Sequence, residues 1–263
     1  TRLKNSETDI LIIDDRIKEI GCDIHKSADT VVDGRDTAVI PSFINAHSHS
    51  AMTYFRGYGD DMNLMEWLQT KIWPNETRLT EELVYLGARL ACLEMIRSGI
   101  TFFNDMYWYP KGVARAVDEM GMRSAVNAVF IDMFDLERAK EQIAGNKRLF
   151  EEFNQYSNKV FMALGPHAIY TVSEHSLKWA ADFAKSNDLM LQIHLSETEQ
   201  EVKDCQSTHG VSPIKYLDNI GFLSNKVVAA HCIYVSNEDI QILAGNGVHL
   251  AYNPISNMKL SVN

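Results

Sequence analysis

The residues most able to do chemistry in this chain are histidines that sit where apolar runs end. His47 and His49 close the stretch Ala38-Val-Ile-Pro-Ser-Phe-Ile-Asn-Ala-His-Ser-His49, which begins as a β-prone apolar run. Residues i and i+2 of a strand project from one face, so both imidazoles can converge on one point. Two neutral imidazoles make half of a site for a borderline metal, with zinc as the first choice. A single His-x-His is equally a chance pairing of a structural and a surface histidine. Further histidines, however, follow apolar runs in the same way: Gly165-Pro-His167, Leu189-Met-Leu-Gln-Ile-His194 and Val227-Val-Ala-Ala-His231. Each alone reads as a hydrogen-bonded structural residue. Their recurrence at the same end of successive strands points instead to a shared site. Glu197, three residues past His194, is either a solvated loop carboxylate or, beside a metal, a proton carrier. Cys232 should face away from the site and pack. His25, His175, His209 and His249 fall at turn, helix-surface or mid-strand positions and take no role.

The elements that must position these residues alternate between strand and helix. Strands are expected near 38–46, 100–106, 122–131, 159–166, 189–195, 226–232 and 247–252. Helices are expected near 81–98, 111–120, 136–156, 173–187, 198–220 and 236–245. Leu83, Leu86, Leu90, Leu93 and Ile96 recur at helical spacing before Gly99, and Thr171-Val-Ser-Glu174 resembles a capping box. Alternation of this kind predicts an α/β fold, a parallel TIM-like (β/α)8 barrel, whose chemistry gathers at the C-terminal ends of the strands. Seven strands are legible, and the eighth is missing. Residues 1–37 read as part of a small β-sandwich, with strands around Asp9-Ile-Leu-Ile-Ile13, a run from Arg16 to Ile20, and Thr30-Val-Val32. The expected domains are therefore 1–37, a partial N-terminal β-sandwich, and 38–263, a C-terminally truncated barrel. Met62 to Trp73 forms a long insertion with its own helix, either satellite packing or a lid over the site.

The 263 residues include 46% hydrophobic and 23% charged side chains, and 25 Lys+Arg against 35 Asp+Glu give a net charge of −10. Such an acidic balance without a basic run argues against nucleic acid or an anionic membrane as partner. The four cysteines are scattered, without a Cys-x-x-Cys pair, and no apolar run of about 18 residues is present. These features predict a cytoplasmic protein. The chain begins at Thr1 without methionine and stops at Asn263 within an active-site loop, so it reads as part of a longer protein.

Taken in order, the histidine motifs above, Arg97-Ser-Gly-Ile-Thr101 with Asp105-Met106, Ile193-His-Leu-Ser-Glu197, Ala230-His-Cys232 and Asn253-Pro-Ile-Ser-Asn257 resemble the amidohydrolase superfamily. Within it they are similar to the S-adenosylhomocysteine/5′-methylthioadenosine deaminases and related aminohydrolases. The resemblance runs through nearly the whole chain. It implies one divalent metal, usually zinc with iron, manganese or cobalt as substitutes, held by His47, His49 and His194 and by an aspartate at the end of strand eight. It further implies that His231 positions the attacking water, and that Glu197 carries a proton from that water to a ring nitrogen and helps protonate departing ammonia. Trp67, Glu76 and His167 match the positions that pack on the nucleoside, accept ribose hydroxyls and read the purine edge. The separate zinc deaminase signature with a His-x-Glu and a Pro-Cys-x-x-Cys is absent.

Two departures stand out. Homocysteine-binding members carry an arginine at the end of strand three, where this chain aligns Asn127-Ala128, with Arg138 as the candidate second arginine. Loss of one arginine removes a bidentate carboxylate contact and favours less anionic nucleosides: 5′-methylthioadenosine, 5′-deoxyadenosine or adenosine. The second departure is the absent strand eight, for which Asp204, Asp218 and Asp239 are poor substitutes. The expected function is hydrolytic deamination of an adenine nucleoside, acting on a small molecule, with a homo-oligomer expected from the resemblance. The alternatives are another cyclic amidine (guanine, cytosine or a triazine) and a non-catalytic fragment.

Overall fold

In the computed structural model, which describes residues 8–59 and 62–259, the chain divides between Pro41 and Ser42 into two units. The first holds an antiparallel hairpin of Asp9–Ile13 (β1) and Arg16–Gly21 (β2). Asp14, in its two-residue turn, has φ of +54°, a left-handed conformation that aspartate tolerates better than most residues. The third strand expected at Thr30-Val-Val32 does not form. Val31 and Val32 are 85% and 83% exposed, with no neighbouring ladder to satisfy their backbone. Among the described residues the N-terminal β region is thus a hairpin rather than three strands of a sandwich.

The second unit opens on Phe43–Ser48 (β3), not at residue 38. Pro41 has no N–H to give a ladder, and pairing begins where the Phe43 N–H reaches the Gly99 carbonyl at 3.0 Å. Two short helices follow, Leu64–Trp67 (α1) and Trp73–Glu76 (α2), joined by a π-helical turn over Leu68–Ile72. Then strand and helix alternate: Glu81–Arg97 (α3), Ile100–Tyr107 (β4), Pro110–Met120 (α4), Arg123–Phe130 (β5), Leu136–Glu152 (α5), Val160–Pro166 (β6) and Glu174–Ser186 (α6). Leu191–Leu195 (β7), Glu199–His209 (α7), Pro213–Asn219 (α8), Val227–His231 (β8), Asn237–Gly245 (α9), His249–Ala251 (β9) and Pro254–Lys259 (α10) complete the described chain.

Strands β3 to β9 form one parallel sheet in chain order. The sheet curls strongly, because His47 on the first of these strands reaches Gln192 on the fifth at 3.1 Å. All seven expected barrel strands are present. The helix expected over 198–220 is two helices. Gly210 takes φ of +73° to end α7, and the Ser212 side chain then caps α8, with Pro213 at its first position.

Helix α3 presents Val84, Ala88, Ala91, Cys92 and Met95 to the core, whereas Leu83, Leu86, Leu90, Leu93 and Ile96 are 39–47% exposed. The leucine spacing identifies the helix, but the smaller residues are the ones turned to the core, allowing close approach to α4 and to the turn over Ser50–Phe55. Gly87 goes further. A Cβ there would lie 2.8 Å from the Ala51 carbonyl oxygen, in the 3-10 turn Ser50–Phe55 that directly follows His49. No helix among the described residues is long and apolar enough to cross a membrane.

Candidate metal centre and active site

His47 and His49 leave the end of β3, His194 projects from β7, and His231 ends β8. Their rings gather closely: His47 lies 4.9 Å from both His49 and His194 and 5.5 Å from His231, centroid to centroid. Among the described residues, His47, His49 and His194 form the one His/Cys/Asp/Glu group whose ligand atoms all fall within 4.8 Å of one another.

The hydrogen bonds behind these rings decide their chemistry. His49 Nδ1 is 2.6 Å from the Met106 carbonyl, His194 Nδ1 is 2.9 Å from the His167 carbonyl, and His47 Nδ1 is 3.1 Å from Gln192 Oε1. Each partner is an oxygen that only accepts, so each Nδ1 carries the proton and each Nε2 presents a bare lone pair. The Nε2 atoms of His49 and His194 stand 3.3 Å apart, lone pair toward lone pair. That arrangement is unfavourable by itself and suits a cation between them, and outer partners that fix the tautomer are the usual second layer of a metal site. Burial pushes all three imidazoles below their ordinary pKa, His47 and His194 strongly, which keeps them neutral and able to ligate. The donor set therefore fits a divalent metal. Asp204, Asp218 and Asp239 are engaged elsewhere: with Gln200, with Lys215 and Asn246, and in the capping box of α9.

Glu197, on the loop after β7, is 7% exposed. Burial, assisted by the nearby Glu201 carboxylate, raises its carboxyl to about 7. His231 Nε2 lies 3.5 Å from Glu197 Oε1, and Asn253 Nδ2 stands 3.4 Å from the other His231 nitrogen. Burial lowers His231 to about 4 and His167 likewise to about 4. His167 packs against His194, with centroids 4.8 Å apart, and its Nδ1 meets the Thr171 hydroxyl at 2.9 Å.

These groups open into a cavity of about 990 Å³, with His47, His49, His167, His194, Glu197 and His231 in its wall. Trp67 and Glu76, expected from the sequence to contact substrate, line the same cavity. The Trp67 indole N–H donates to the Tyr58 carbonyl at 3.0 Å, and Trp108 donates to Glu76 at 3.2 Å. The insertion over 62–73 thus contributes to the cavity wall. Arg138 is not brought there: it is exposed on the first turn of α5, where its backbone N–H bonds the cap residue Asp135. Asn127 is not at a strand end either. It is fully buried three residues before the end of β5, and its amide donates to Asn104 Oδ1 at 2.5 Å and to the Asp105 carbonyl at 2.7 Å.

Several supporting residues take roles that only the fold reveals, among them Gln192, which the sequence reading does not single out, and Asp105, which it names only within a motif. Gln192 accepts from both His47 and Asn104, extending a buried amide chain through Asn127. Asp105 holds the turn after the paired histidines, accepting the Ser50 N–H at 2.6 Å, and burial lifts its carboxyl to about 6. The spacing rule that paired His47 with His49 also pairs Gln192 with His194, so Gln192 was within reach of the pattern.

A family model described as "Amidohydrolase family" matches residues 38–263. The chain is 47% identical over 247 residues to 5-methylthioadenosine/S-adenosylhomocysteine deaminase 1 of Archaeoglobus fulgidus, covering 94% of this chain and 58% of that protein. It is 44% identical over 254 residues to the 5′-deoxyadenosine deaminase of Methanothermobacter thermautotrophicus, covering 96% and 60%. It thus spans about 60% of the length of these curated relatives. Among solved structures, an adenosine deaminase from Xanthomonas campestris with bound zinc superposes with a TM-score of 0.80 at 33% identity, covering 85% of this chain and 51% of that one. A guanine deaminase from C. acetobutylicum gives 0.88 at 21% identity, covering 97% and 64%, a likeness of fold. With the match running over residues 38–263, the chain belongs to the amidohydrolase family.

Proposed function

We propose that the protein is a metal-dependent hydrolase that deaminates an adenine nucleoside, releasing ammonia and the inosine analogue. The observation that carries this reading is the convergence of three bare Nε2 lone pairs beside the buried Glu197–His231 pair, inside one cavity. Zinc held by His47, His49 and His194 would lower the pKa of a water toward about 7, making a nucleophile available at neutral pH. The protein's own groups would do the rest. His231 directs Nε2 toward the attacking water. A Glu197 carboxylate oxygen takes the water's proton, passes it to a ring nitrogen, and returns a proton to the leaving ammonia. Burial raises this carboxyl above the ordinary carboxylate range, toward the window in which one group can both take and give a proton. His167 reads the purine edge, Trp67 packs on the nucleoside, and Glu76 accepts ribose hydroxyls.

Arg138 lies outside the cavity wall, Arg56 within it is already paired with Glu94 at 2.7 Å, and Met62, Leu64, Leu68 and Ile72 stand there beside Lys259; the engaged arginine and the apolar residues support a preference for an uncharged 5′ substituent. The buried thiols of Cys92 and Cys205 accord with a reducing compartment, the cytoplasm.

Ammonia release from zinc-loaded protein tests the reading, with adenosine, 5′-methylthioadenosine, 5′-deoxyadenosine, S-adenosylhomocysteine, guanine and a triazine as substrates. Turnover of an adenine nucleoside is expected, falling by about 10²- to 10⁴-fold in Glu197→Gln. A higher kcat/KM for S-adenosylhomocysteine than for the uncharged nucleosides would overturn the 5′ preference. Turnover of guanine or the triazine alone would overturn the nucleoside assignment.

A further inference from the structure

Glu201 is a buried carboxylate that the reaction above does not use. It stands in the first turn of α7 and is 5% exposed. One of its oxygens accepts the Ser196 N–H at 2.8 Å, and the other accepts the Glu197 N–H at 2.9 Å. An ordinary capping box closes on the cap residue alone, here Thr198, whose hydroxyl accepts the Glu201 N–H at 3.1 Å and whose own N–H the Glu201 carboxylate also meets. The bonds to Glu197 and Ser196 reach one and two residues farther upstream, to the loop that carries Glu197.

That loop needs holding. Ser196 has φ of +50°, a left-handed conformation that side-chain-bearing residues seldom take. On its other side the Ser196 carbonyl accepts the N–H groups of Ile233 and Tyr234, each at 3.0 Å, and the Cys232 N–H reaches the Leu195 carbonyl at 2.9 Å. His231 and Cys232 are themselves left-handed, at +75° and +46°. A single strained peptide therefore ties the Glu197 loop to the His231 loop, with Glu201 bracing its N–H side.

We propose that Glu201 is a positioning residue whose two carboxylate oxygens clamp the Ser196–Glu197 backbone and so hold the Glu197 carboxyl against His231. This role rests on the reading of Glu197 as the proton carrier. Glutamine cannot reproduce the clamp. Its one oxygen can satisfy one N–H, while its amide nitrogen would set a donor against the other.

The test compares wild type, Glu201→Gln and Glu197→Gln as full-length, zinc-loaded proteins. It measures kcat and KM for ammonia release, zinc per chain, Tm, and amide hydrogen exchange at Ser196 and Glu197. The expected result for Glu201→Gln is a kcat lowered by about 10- to 100-fold, the scale of a misplacement near 1 Å. KM and zinc content stay within about twofold, while exchange at the two amides quickens. Should Glu201→Gln not fold, the Glu201→Gln/Ser196→Gly double variant carries the same comparison, because glycine removes the strain at φ of +50°. A kcat near that of wild type, unchanged amide exchange, or a joint fall of kcat, zinc content and Tm would each overturn the proposal. With Glu197→Gln inactive, such a result removes the role of Glu201 and leaves the proton carrier standing. An active Glu197→Gln protein instead overturns the carrier, and this role of Glu201 with it.

Discussion

Replacing Gln192 by leucine tests how far the metal centre depends on the amides behind it. Gln192 is fully buried, and its Oε1 accepts from His47 Nδ1 at 3.1 Å and from Asn104 Nδ2 at 2.9 Å. Leucine fills nearly the same space and accepts nothing, so both donors lose their partner. The Asn104 loss falls equally on metal-free and metal-loaded protein and cancels from the affinity. It costs stability about 1–3 kcal/mol, and at roughly 2–4 °C per kcal/mol lowers Tm by about 2–12 °C. The His47 loss does not cancel. Without metal the ring is free to turn or exchange its tautomer. With metal, Nε2 must stay bare and the Nδ1 proton then points at an apolar side chain. That difference is on the order of 1.4–2.7 kcal/mol, a tenfold to hundredfold weaker grip on the metal. Competition against a chromophoric chelator at fixed pH gives the zinc Kd of each protein, and Tm in excess chelator gives the stability part alone. A Kd within about twofold of wild type beside a lowered Tm would refute the reasoning and reduce Gln192 to packing. Asn127→Ala, one amide farther from the ring, should lower Tm with a smaller change in Kd.

Asp105→Asn and His167→Gln should change the pH dependence of stability in opposite senses in the metal-free protein. The folded Asp105 carboxyl keeps its proton to about 6 against an ordinary 3.8, so wild type loses up to about 3 kcal/mol as pH rises through that window. The stability gap between Asp105→Asn and wild type should therefore move by about 2 kcal/mol in favour of asparagine between pH 4 and pH 6.5, read by urea midpoints; a constant gap refutes it. His167 is held to about 4 against 6.5, so wild type loses up to about 3 kcal/mol as pH falls through that window, a slope His167→Gln should remove. Gly87→Ala drives a methyl group to 2.8 Å from the Ala51 carbonyl and should cost about 1–3 kcal/mol, with zinc affinity falling alongside if the turn after His49 is displaced. Glu76→Gln should raise KM for nucleosides by about tenfold while sparing any free-base turnover; equal effects on both would assign Glu76 to lid packing through Trp108.

The sequence reading succeeded where residue type and period together carry the signal, and it failed where function depends on a partner far along the chain. His47, His49, His194 and His231 were legible because apolar strands end on them with a period of two, and a parallel barrel brings strand ends together. Gln192 obeys the same period and was passed over, since an amide announces no chemistry until its partner His47, 145 positions away, is known. Asn127 shows the reverse error. The apolar run of β5 continues past it to Phe130, so the position aligned with a strand-end arginine of the homocysteine-binding members is a structural amide of the barrel interior. The leucines of α3 mark a helix by their spacing, yet alanines and Cys92 take the core side, because close approach to α4 and to the turn after His49 selects small residues and burial follows geometry rather than hydrophobicity alone. Glu201 was invisible for a further reason: its purpose depends on the left-handed turn at Ser196, and no residue type at position 196 signals that turn as glycine would. The histidine cluster is thus legible at the atoms that would meet a metal. It is not legible at the layer behind them, where one carbonyl or carboxylate per ring or loop decides whether the lone pairs converge.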